Sequence, residues 1–94
     1  MKILIYIVVP DAFSPNGDDA NDLLLVKGGP LKTIQIRIFN EWGNLLFETT
    51  DQQNGWDGSY KGTPQPTGAY EYTVIGSTLD NLDVKIYGSI QLTR

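Results

Sequence analysis

The segment TIQIRIF, residues 33–39, limits what this chain can become more than any other feature. Ile34, Ile36 and Ile38 fall on one side of an extended backbone and Thr33, Gln35 and Arg37 on the other, the period-two pattern of a strand with one dry and one wet face. Tyr70, Tyr72 and Val74 alternate with Glu71 and Thr73 in the same way. Helical periodicity is sustained nowhere, whereas short apolar runs bounded by Gly, Pro, Asn and Asp recur throughout. The chain therefore reads as all-β. Further strands are expected over residues 3–9, stopped by Pro10, over 23–27, over 44–50, over 69–77 and over 83–94. NEWG at 40–43 reads as a hairpin connection in which Gly43 takes positive φ, and Asp80 and Asn81 as the centre of another. Short strands with turn signals at steady intervals favour an immunoglobulin-like antiparallel β-sandwich of about seven strands, with a small barrel as the alternative.

Composition narrows the chemistry. With 94 residues the chain has the length of one domain with a single modest core, and ten glycines and five prolines fit a turn-rich fold. It contains neither cysteine nor histidine, which removes disulfides, thiolate nucleophiles and the commonest general base and metal ligand. The net charge of −4, with its seven Lys and Arg scattered, gives no footprint for nucleic acid or anionic lipid. The apolar run at 3–9 is too short to span a bilayer and lacks a small-residue cleavage site.

Three places carry candidate chemistry. In FSPNGDDAND, residues 13–22, Asn16, Asp18, Asp19, Asn21 and Asp22 set hard oxygen ligands close together and Gly17 permits a sharp bend, the composition of a Ca²⁺ loop. The EF-hand spacing is absent. The other reading is a long loop whose Asn and Asp cap its own backbone while Pro15 and Gly17 set the bends. In the glycine-rich excursion at 51–68, Trp56, Asp57 and Tyr60 are the ingredients of a sugar-stacking platform. Against that stands a packing role, in which the Trp56 indole closes one end of the core, Asp57 holds the loop backbone, and Gly55, Gly58, Gly62 and Gly68 take conformations barred to other residues. Finally, Glu48, Asp57 and Glu71 could be drawn as a glycosidase-like acid pair, and Lys61 with Ser59 as base and nucleophile. Nothing in the spacing fixes either pair, and solvated surface groups are the expectation.

The stretches VVPDAFSPNGDDANDLLLV, IQIRIFNEWGNLLFETT, NGWDGSYKGTPQPTGAYEYTV and GSIQLTR together resemble, in order and spacing, the gliding-motility-associated C-terminal domain family. That family contains the type B sorting domains of the type IX secretion system of gliding and related Gram-negative bacteria. The resemblance runs over residues 9–94, and its W-D-G portion also looks like the Ig-like module of flagellar hook-capping proteins. One departure is Asp19, where the family commonly has glycine. Residues 1–8 are read as the first strand or as the remnant of an upstream parent chain, and residues 9–94 as the sorting domain.

The resemblance implies a non-catalytic address carried on a folded module, which directs cargo through the periplasm and outer membrane to the cell surface or medium. It implies as partners the outer-membrane type IX translocon, its shuttle proteins and the upstream cargo domains of the parent protein. The positions it singles out, as recognition surface or as its brace, are Phe13, Pro15, Asn16, Gly17, Asp18, Asn21 and Asp22, then Trp42 and Gly43, then Trp56, Asp57, Gly58, Gly68 and Tyr70. Asn16, Asp18, Asn21 and Asp22 double as the ligand set of the calcium reading. The final strand, residues 87–94, is a second expected contact, because an edge strand can pair with a partner's sheet.

Overall fold

A computed structural model of the chain describes residues 6–15 and 23–93. Within them the backbone forms β1 (Tyr6–Val8), β2 (Ala12–Phe13), β3 (Lys27–Gly29), β4 (Leu31–Phe39), β5 (Leu45–Thr49), β6 (Ser59–Tyr60), β7 (Thr63–Pro64), β8 (Gly68–Thr78) and β9 (Asp83–Leu92). The main sheet has the order β2-β9-β8-β4-β5. Its centre is antiparallel: β4 pairs with β8 from Leu31 opposite Thr78 to Phe39 opposite Glu71, and β8 with β9 from Gly68 opposite Leu92 to Ser77 opposite Asp83.

The alternation in 33–39 becomes the two faces of β4. Ile36 and Ile38 are buried with Ile34 packed beside them, while Thr33 on the opposite face is exposed. Tyr70, Val74, Ile90 and Leu92 complete the inner face of the sheet. Over that face lies a second, broken layer, made of the antiparallel pair β1–β3, an isolated bridge between Leu24 and Trp56, and the small hairpin β6–β7. Leu24, Val26 and Trp56 come from this layer, and Phe13 closes the core from the sheet's edge. The void against Val26, Ile38 and Trp56 is small, about 10 Å³. This is a β-sandwich of the immunoglobulin kind.

Three details differ from the sequence reading. Residues 23–27 were expected to be a strand, but they give one bridge at Leu24, and the strand begins only at Lys27. The loop after β5 takes their hydrogen bonds instead: the Gln52 amide donates to the carbonyls of Val26 and Gly28 at 3.1 and 2.9 Å. The sheet is also not wholly antiparallel, since β2 runs parallel to β9. Among the described residues nine strands appear rather than about seven, because β2, β6 and β7 are two residues each and too short to show alternation.

The molecule, 44 Å along its longest axis, has two distinct poles. At one lie the β4–β5 turn, the start of β8 and the end of β9; at the other lie the β8–β9 turn at residues 78–83 and the start of β4. These are called the turn pole and the hairpin pole below.

Candidate recognition site

The β4–β5 turn is built by Asn40. Its side-chain oxygen accepts the backbone N–H groups of Trp42 and Asn44 at 3.0 and 2.9 Å, an Asx arrangement that satisfies two donors at once. The backbone closes the turn a second time, with Asn40 N–H donating to the Asn44 carbonyl and Gly43 N–H to the Asn40 carbonyl, each at 3.0 Å. Gly43 sits at φ +81°, and a Cβ there would meet nothing within 4 Å, so conformation and not space demands glycine. The braced turn carries Trp42 outward with 78% of its surface exposed.

The second part is the loop that precedes β8. Asp57 accepts the backbone N–H of Ser59 at 3.0 Å and its hydroxyl at 2.6 Å, which bends the chain through Gly58 at φ +83°. That bend turns Trp56 inward, where its indole N–H donates to the Ser59 carbonyl at 2.9 Å and its rings meet Phe13 and Tyr70 at centroid separations of 5.4 and 5.2 Å. Tyr70 in turn donates its hydroxyl to the Pro66 carbonyl, a tyrosine-to-upstream-backbone tie of the kind seen at immunoglobulin corners. The loop is thus fixed to the core through the hydroxyl of a buried aromatic.

These parts meet at the turn pole. Asn40, Glu41 and Trp42 face Gln65, Pro66 and Thr67 across a cleft of about 130 Å³. That is well below the roughly 300–1,000 Å³ of small-molecule pockets, and suits one inserted side chain. On its other flank the turn borders an open groove along the outer face of the sheet, lined by Phe39, Gly43, Glu71, Thr73 and Tyr87. An exposed indole between a cleft and a groove has the form of a protein-contact anchor.

The positions singled out from the sequence therefore separate. Trp42 is presented to solvent and Gly43 shapes its turn, whereas Phe13, Trp56 and Tyr70 are core, Asp57 and Gly58 form the bend, and Gly68 opens β8 at φ +146°. Pro15 is half-buried next to the tie between the Ser14 and Thr93 hydroxyls. Asn16, Gly17, Asp18, Asn21 and Asp22, and with them the calcium ligand set, lie outside the described residues. The sugar-platform reading of Trp56 is corrected in favour of the packing role: the indole is 1% exposed and packs against Phe13 and Tyr70. Tyr60 is exposed, with the Lys61 ammonium 5.2 Å from its ring centroid. Glu48 is paired with Arg37, leaving the drawn acid pairs apart in bonding as well as in sequence. Asn40 was the residue missed as a site position; the signal was an Asn three places before a turn glycine.

The fold and this braced pole define an Ig-like module with an exposed, hydrogen-bonded turn at one end. The chain belongs to the CHU_C type IX secretion signal domain family, whose match covers residues 7–92. Such domains mark proteins for export to the cell surface or medium by the type IX secretion system, and that is the role of this one. No curated protein matches the chain.

Proposed function

We propose that the outer-membrane translocon and its shuttle proteins read this domain in its folded state, at the turn pole, and that the domain does no chemistry of its own. The observation that carries this is the contrast between two tryptophans: Trp56 is 1% exposed and Trp42 78% exposed on a turn held by four hydrogen bonds. A large apolar surface kept in water by a rigid turn is stabilised only when a partner covers it. Rigidity matters as much as exposure, because a preformed turn loses little entropy on docking. The candidate reactive groups are engaged otherwise: Asp57 with Ser59, Glu48 with Arg37, and Lys61 over Tyr60. The backbone enters β1 at Tyr6, opposite Gly29 and close to the hairpin pole, so cargo carried ahead of the domain would lie away from Trp42.

The test is a fusion of residues 1–94 to the C-terminus of a periplasmic reporter, in a host with the type IX machinery. The wild-type fusion is expected outside the cell. Trp42→Ala should lower its export about tenfold, the effect of losing one anchor contact, while leaving the thermal melt of the domain unchanged. Wild-type export by the Trp42→Ala fusion would overturn the proposal.

A further inference from the structure

We infer that the open edge of β9, residues 83–89, is a docking rail for an extended strand of a partner protein. The inference rests on the reading of the domain as a folded recognition module, and assigns that module a second contact with a different chemistry. β9 is covered by β8 along its whole length, in a register without a shift from Asp83 to Leu92. On its other side β2 reaches only Gln91 and Leu92. The remainder of that edge has no strand partner among the described residues.

Which backbone groups face the open side follows from the bonds at either end. Gln91 and Thr93 donate their N–H groups to the carbonyls of Asp11 and Phe13, so the odd-numbered residues point toward the β2 side. Leu82, an even-numbered residue, accepts from Thr78 on the β8 side, in agreement. Strand alternation then places the N–H and C=O of Asp83, Lys85, Tyr87 and Ser89 along the open edge. A row of alternating donors and acceptors at strand spacing is matched by another extended backbone, and by little else.

The flanking side chains define the occupant further. Ile86 is half-buried at the rim of the core, so an incoming strand extends the sandwich when its inward residues are apolar. Tyr87 lies 70% exposed on the outer face beside Lys85, which favours aromatic or acidic residues at the strand's outward positions. The opposite edge of the sheet is blunted: β5 is only five residues long, its pairing with β4 is broken by a register shift, and β6 packs against it. The expectation of a contact at residues 87–94 is thereby moved, since β2 already occupies part of that stretch.

Hydrogen exchange on the ¹⁵N-labelled chain tests this, with and without detergent-solubilised outer-membrane type IX translocon as the probe. In the free domain the amides of Lys85, Tyr87 and Ser89 should exchange fast and those of Val84, Ile86 and Gly88 slowly. Addition of translocon should slow the fast set by about tenfold or more. Protection at 40–44 with no change at Lys85, Tyr87 and Ser89 would overturn the inference while sparing the turn-pole reading. Protection nowhere would count against both. Slowing that appears on raising the domain's own concentration, without translocon, would assign the edge to a second copy and overturn the partner-strand inference. As a second readout, Lys85→Pro removes one outward donor without touching the β8 ladder and should weaken capture of translocon, whereas Lys85→Ala, which keeps the N–H, should not. Equal capture by both variants would contradict a backbone rail.

Discussion

Trp56 donates its indole N–H to the Ser59 carbonyl and packs against Phe13 and Tyr70, so removing its ring would leave a cavity at the junction of both layers. Trp56→Ala should cost about 3–5 kcal/mol of unfolding free energy, measured by urea titration, enough to consume much of a small domain's stability. Gly76 is demanding for a different reason. A Cβ there would sit 2.3 Å from the Thr33 carbonyl oxygen, where the β4–β8 register shifts. Gly76→Ala should therefore cost about 1–3 kcal/mol in the same assay, and a neutral result would show that the β4 backbone yields readily. The packing role read for Trp56 is the one the structure shows, whereas the outward placement of Trp42 was not legible in the sequence. Each stands beside glycine, asparagine and an acid, and whether an indole turns in or out depends on a bend set by Asp57 and Gly58 against one set by Asn40 and Gly43.

At the scale of elements, the long strands were legible because alternation is a local signal. β4, β8 and β9 fall within about a residue or two of where Ile34 to Ile38, Tyr70 to Val74 and the run from Asp83 suggest. Alternation missed β6 and β7, which pair only with each other in a two-residue-long local hairpin, and β2, which exists because Gln91 and Thr93 reach the Asp11 and Phe13 carbonyls. Residues 23–26 show the reverse case, apolar sequence without a continuous strand, since their partner is the Trp56 loop, to which Gly55 allows close approach. The β4–β5 turn is a unit whose brace can be removed separately from its tip. Asn40→Ala deletes the acceptor for Trp42 and Asn44 and should cost about 1–2 kcal/mol. It should also raise the mobility of Trp42, seen as lower fluorescence anisotropy; unchanged anisotropy would mean that the backbone bonds alone hold the turn.

On the scale of the whole molecule, the two poles differ in what they expose. The turn pole gathers Trp42, the cleft beside Pro66 and the covered end of β9, while the hairpin pole holds the exposed Leu79 and Leu82 and lies close to where the backbone enters at Tyr6. Under the turn-pole proposal, a carrier bound at Trp42 would lie away from Tyr6. The sequence revealed the family and the turns, but not this polarity, which arises only when β8 carries Gly68 to one end and Thr78 to the other. The most direct measurement is in-cell photocrosslinking from a benzophenone amino acid placed at position 42 or, separately, at position 82, during export of a reporter fusion. Crosslinks to an outer-membrane type IX component from position 42, with none from position 82, are the predicted result. Crosslinks from 82 alone would contradict recognition at the turn pole.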